Sequence, residues 1–194
     1  MNRMIYIIVF TVVGFSFAQF LMSYTSNKIE NPVYKVLKDY GEFEIRQYEE
    51  MIMANTSFKS NNYDQNANEG FRRVASYIFG QNDRNEKIAM TSPVFMEMGS
   101  EPSMSFVMPK KYAMDDLPDP DRKDVELVTK NPMKLAVIRF SGYANEEKIS
   151  AYRKKLLGLM VKNGLKPGSN YYFLGYNAPW KLVGRKNEVA IEVQ

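Results

Sequence analysis

"NEEKISAYRKKLLGLMVKNG", residues 145–164, decides the fold. It has the marks of one complete helix. Asn145 stands where a side-chain oxygen caps the first turn, Glu146 and Glu147 follow near the positive end of the helix dipole, and Gly164 supplies the stop. Ile149, Tyr152, Leu156, Leu159 and Met160 recur at helical spacing and predict one buried face. An earlier stretch, "NNYDQNANEGFRRVASYIFGQND" at 61–83, repeats the plan. Ala67, Phe71, Val74, Ala75 and Ile78 share a face, Asn62 or Asp64 caps the start, and Gly80 ends it.

Around these helices the period drops to two. In "YKVLKDYGEFEIRQYEEMIMANTSF", residues 34–58, Phe43 and Ile45 fall on one side and Glu42, Glu44 and Arg46 on the other, which predicts two or three short strands. "KIAMTSPVFMEM" (87–98) and "SMSFVMPKKY" (103–112) read as two more, with Pro93 marking a kink or strand edge. After "AMDDLPDPDRKD" (113–124), read as an exposed loop between halves, the order recurs: "VELVTK", "KLAVIRF", the second helix, "NYYFLGYNAPW" and "NEVAIEV". Each half is therefore strand–strand–helix–strand–strand. Phe71 matches Ile149, and Pro93 in Thr91-Ser92-Pro93-Val94 matches Pro179 in Asn177-Ala178-Pro179-Trp180. The expected fold is α+β with pseudo-twofold symmetry: a curved, largely antiparallel sheet of about eight strands carrying two helices.

The composition narrows the chemistry. With no cysteine, thiol catalysis, iron–sulfur clusters and thiolate zinc sites are excluded. With no histidine, so are a Ser-His-Asp triad and a histidine ligand to haem or zinc. The net charge of +4 is weak and no basic stripe with interleaved aromatics stands out, so nucleic acid is not an expected partner.

Residues 4–22, "MIYIIVFTVVGFSFAQFLM", carry no charge and follow Arg3. Their length suits a membrane span. Two readings compete for residues 1–22: a signal anchor, or a signal peptide cut after Ala18, since Ser16 and Ala18 are small residues at the required spacing. Either way the folded domain is expected to be exported, membrane-anchored in the first case and periplasmic or secreted in the second. Residues 23–32 read as a polar linker, and 33–194 as the folded domain, with repeats at about 33–112 and 125–194.

Several motifs now converge. "EKIAMTSPV", "MSFVMPKKY", "IRFSGYA" and "GYNAPW" followed by "GRKNEVAIEV" resemble, in order and spacing, the SOUL haem-binding protein family, from about Tyr34 to Val193. The resemblance implies a distorted antiparallel β-barrel of two ββαββ repeats with two helices. It also implies binding of haem or another tetrapyrrole. Some members use a histidine ligand and others an apolar groove; a chain without histidine can use only the groove. In the groove mode basic side chains meet the propionates. Lys181 matches the family's basic position after the proline motif. Asn68 and Ser76 hold the first-helix positions that are basic in the family, with Arg72 and Arg73 one turn away.

The candidate ligand-binding residues are thus Lys181, Arg72, Arg73, Met90 and Trp180. Met90, Met96, Met98, Met104 and Met108 either fill an irregular core or form an adaptable apolar wall. Trp180 is either core or a stacking surface. Arg72, Arg73, Lys181, Arg185 and Lys186 are either solvated charges or a carboxylate-binding cluster at a pocket mouth. The leading expectation is a non-catalytic binding protein for haem or a related planar hydrophobic ligand. A scaffold module of the same fold without haem, and a hydrolase of small amphipathic molecules, are the alternatives.

Overall fold

The computed structural model describes residues 29–177, 181 and 183–194; the expectations for residues 1–22, Pro179 and Trp180 lie outside them. Nine strands and two long helices follow in chain order: β1 (Tyr34–Asp39), β2 (Glu44–Tyr48), β3 (Met51–Ser57), α1 (Tyr63–Ile78), β4 (Val94–Met98), β5 (Ser103–Val107), β6 (Glu126–Lys130), β7 (Met133–Ser141), α2 (Glu146–Lys162), β8 (Pro167–Gly175) and β9 (Lys186–Val193). The caps are those the sequence offers. Asn62 Oδ1 accepts from Gln65 N at 3.0 Å, and Asn145 Oδ1 from Lys148 N at 2.9 Å. Gly80 and Gly164 follow the helices with φ of +109° and +71°, the left-handed region that glycine enters without a Cβ clash.

All nine strands form one antiparallel sheet in the order β1-β2-β7-β9-β8-β4-β5-β3-β6. Without β1, the order reads the same from either end once β2, β3, β4 and β5 are exchanged for β6, β7, β8 and β9. The pseudo-twofold passes between β4 and β8. Each half lends its first strand to the other: β2 pairs with β7, and β6 with β3. Strands adjacent in sequence, β2 with β3 and β6 with β7, therefore lie far apart in the sheet. This exchange and the curl of the sheet make the distorted α+β barrel. The eight expected strands are present, and β1 adds a ninth at the edge.

The register corrects one detail of the repeat. Val94 opposes Phe106 and Tyr171 opposes Ile191, so β4 is the counterpart of β8. The turn at Thr91–Val94 leads into β4, whereas Asn177 follows β8, so the two turns are not symmetry mates. Ser92 lies instead beside the end of β8, its Oγ donating to Tyr176 O at 3.4 Å. The strand expected from Lys87 begins only at Val94, because Pro93 has no N–H to give a ladder. The 113–124 segment is exposed at most positions, as expected, but is pinned at its middle. Leu117 and Pro118 are buried, and Tyr77 OH donates to Pro118 O at 2.9 Å.

Both faces of the sheet are packed. One receives α1 and α2, burying Val74, Ile78, Ile149, Leu156 and Met160 against Met96, Phe106, Ile138 and Val189. The other buries Tyr48, Met53, Phe95, Leu135, Tyr172 and Leu174. Methionine fills much of the space on both, as its flexible thioether allows.

Candidate functional site

On the helix side, α1 does not close fully on the sheet. Its Tyr63, Ala67, Asn68 and Phe71 form one bank of a groove of about 240 Å³. Val94, Met96, Met104 and Phe173 form the floor with the buried Asn187 beside them, and Tyr143, Asn177 and Arg185 the mouth. Residues 63, 67 and 71 are each one turn apart, so the same helical stripe that packs the core also lines the groove. Tyr63 meets Phe173 edge-on at 5.0 Å, and Phe71 is tilted against Phe106 at 5.3 Å.

Polar contacts hold the mouth in shape. Asn177 Oδ1 accepts from Lys186 N at 2.6 Å, and Asn187 Nδ2 donates to Gly142 O at 2.7 Å. Arg185 lies over the Tyr143 ring at 4.6 Å and donates through Nη1 to Lys181 O at 2.8 Å. Burial raises the Tyr63 phenol above its ordinary range, and the nearby Arg185 charge opposes that rise. Among the described residues, no carboxylate lines the groove. Its chemistry is an apolar slot with amide and phenol edges and one guanidinium.

The sequence candidates fall around this slot. Lys181 is half-buried and touches the mouth through its carbonyl, which fixes Arg185. Arg72 and Arg73 are on α1 but not among the lining residues. Arg73 is paired with Glu69 and, through Nε at 3.4 Å, with Asp124. Met90 is half-buried against the helix-side core, outside the groove, while Met96 and Met104 line it. Trp180 lies outside the described residues. Arg185 is the cation that the lining places in the slot. The sequence offers it only as one of five basic residues of a possible carboxylate-binding cluster.

The opposite face holds a second polar assembly. Arg46 is fully buried and donates through Nη1 and Nη2 to Glu188 at 2.9 and 3.1 Å, and through Nε to Glu44 at 2.7 Å. Tyr176 OH and Arg139 Nε also donate to Glu188, at 2.6 and 2.9 Å. Burial pushes the Glu188 carboxyl upward, but the hydrogen bond and charge of Arg46, with Tyr176 and Lys186, outweigh it and hold the group below its ordinary value. Tyr48, beside Arg46, is pushed up to about 12 by burial.

The chain and its fold have known relatives. The model of the SOUL heme-binding protein family matches residues 29–192. This chain belongs to the SOUL heme-binding protein family. Among similar members, human heme-binding protein 2 is 32% identical over 174 residues, covering 83% of this chain and 84% of that protein. Heme-binding protein 1 of Xenopus laevis is 29% identical over 161 residues, covering 78% and 84%. The family fold extends to distant solved structures. The C-terminal domain of EcmrR shares it with a TM-score of 0.63 at 8% identity, covering 84% of this chain and 98% of that one. A hydrolase from Listeria innocua shares it at 0.56 and 14% identity, covering 81% and 94%.

Proposed function

We propose that this chain binds haem or a related tetrapyrrole non-covalently in the groove between α1 and the sheet, and that it acts as a binding protein. The observation that carries the reading is the groove itself: an apolar floor with a guanidinium at the mouth matches an apolar ring edged by carboxylates. Family membership and relatives named heme-binding proteins support it. The groove's 240 Å³ is below the roughly 300–1,000 Å³ of pockets that enclose a ligand, so a macrocycle would be gripped along one edge and one face. Phe71, Met96, Met104 and Phe173 would pack the ring, and Arg185, with Lys181 beside it, would meet a propionate. Ligation by histidine has no place here, since the chain has none.

Among the described residues the slot's lining offers amides, phenols and an arginine, a set without the acid–base pair that the hydrolase alternative needs. The charge-free run at residues 4–22 supports an exported, membrane-tethered or processed protein.

The test is a haem titration of the full chain beside Ala67→Trp. Ala67 is half-buried on the groove bank, and an indole there would fill the slot. We expect saturable binding by the unaltered chain and a loss of about tenfold or more in the variant. Equal binding by both would place the ligand elsewhere.

A further inference from the structure

The face of the sheet turned away from the helices holds another cavity, of about 270 Å³, which shares no lining residue with the groove. Its origin lies in the pseudo-symmetry. Asn55 opposes Ser105 and Glu126 in one half, and Val137 opposes Ala190 and Glu44 in the other. Stepping two residues along each strand, Val128, Ser103 and Ser57 are the counterparts of Arg46, Glu188 and Arg139. In the second half Arg46 and Glu188 fill the space with a buried ion pair, which Arg139 joins from the surface. In the first half two serines and a valine leave the space open.

One carboxylate did not leave with the guanidinium groups, although Ser103 stands where Glu188 stands in the other half. Glu126 is the counterpart of Glu44, which accepts from Arg46 Nε at 2.7 Å. Glu126 is held by a relay: Ser105 Oγ donates to Asn55 Oδ1 at 2.8 Å, and Asn55 Nδ2 donates to Glu126 Oε1 at 2.9 Å. Glu97 and Glu101 also line the cavity, against one cation, Lys130, whose Nζ meets Glu97 at 2.9 Å. Ser103 lines it too. Its residue is nine-tenths buried, and its hydroxyl makes no side-chain hydrogen bond among the described residues. Phe95, Met53 and Tyr172 give the floor an apolar and aromatic character. The Tyr172 phenol is raised above its ordinary value by burial first and then by the charges of Glu97 and Glu192, consistent with a negative local field.

We propose that this cavity is a binding site for a small organic cation bearing a guanidinium or primary ammonium group. The cation takes the place that Arg46 fills in the other half. Glu126 pairs with it, Ser103 accepts a hydrogen bond from it, and Phe95 and Tyr172 pack its carbon chain.

Agmatine, with a guanidinium at one end and an ammonium at the other, is the probe. Calorimetric titration of the full chain should show one saturable site, absent for the neutral analogue butylurea. Glu126→Gln should weaken binding about 3- to 10-fold. Val128→Arg, which returns a guanidinium to the space, should abolish it while porphyrin binding in the groove persists. Ser57→Arg, at the counterpart of Arg139, serves if Val128→Arg does not fold. No saturable binding of agmatine up to about 10 mM overturns the proposal. So does equal binding of butylurea, or an unchanged affinity in Glu126→Gln.

Discussion

Arg46 and Glu188, 142 residues apart, form a two-pronged ion pair with both side chains fully buried. One lies on the first exchanged strand and the other on the last strand, and β7 runs between them. The pair therefore fastens the N-terminal half to the C-terminal half across an intervening strand. Its geometry is well satisfied, since Glu44, Tyr48, Tyr176 and Arg139 complete the hydrogen bonds. Breaking such a pair from one side is costly because the remaining charge stays buried.

Arg46→Met should destabilise the chain by about 3–5 kcal/mol at neutral pH. The pH dependence gives a second check. In the unaltered chain Glu188 is held below its ordinary value of 4.5, so its contribution is present above that pH and is lost as pH falls through the lower folded value. In the variant burial is no longer outweighed by Arg46, and the carboxyl rises. The cost of the substitution should then shrink between pH 7 and pH 5 as Glu188 takes up a proton. Urea unfolding at both pH values measures this; a cost that is equal or larger at pH 5 contradicts it.

Arg185→Ala should weaken a porphyrin carrying free propionates about 3- to 30-fold, the range between an exposed ion pair and a charged hydrogen bond in a drier site. The dimethyl ester of the same porphyrin should lose little. Lys181→Ala should have the smaller effect of the two, because the carbonyl that positions Arg185 survives the substitution. Fluorescence titrations with acid and ester decide this. Equal losses for both ligands would mean that Arg185 shapes the mouth, through Tyr143, and does not read the carboxylate.

Much of this architecture is legible in the chain. Both helices, their asparagine caps and their buried faces follow from spacing alone, because capping and amphipathicity are local. The partners of the strands are not local. Nothing in the run from Glu44 to Ser57 shows that β2 and β3 part to opposite arms of the sheet. Arg46 alternates with Ile45 like any charge on an outer face, and its burial becomes visible only when Glu188 arrives from the other end. The same limit applies to the site. Lys181 stands out by motif, but the residue in the slot is Arg185, whose guanidinium reaches it from beside β9, a placement that motif spacing does not show. Met90 lies in the same sequence run as Met96, yet Pro93 separates them, and only Met96 enters a strand and the groove.

The N-terminal run supports a separate test. Full-length protein fused to a reporter active only in the cytoplasm should give no signal from the folded domain. Sequencing the mature N-terminus should then find either Met1, for an anchor, or Gln19, for cleavage after Ala18. A strong cytoplasmic signal would contradict export. No helix among the described residues is long and apolar enough to cross a membrane, so tethering would rest on the 4–22 segment.

The central claim is that an apolar slot, and no histidine–iron bond, supplies the affinity. Ring area buried against Phe71, Met96, Met104 and Phe173 contributes at roughly 25 cal/mol per Å², whether or not a metal sits at the ring centre. The most direct measurement is a paired titration of the full chain with haem and with iron-free protoporphyrin. The account predicts one saturable site for each, with dissociation constants within about threefold of one another. Saturable binding of haem with none of the free porphyrin would contradict it, because an iron ligand would then carry the interaction.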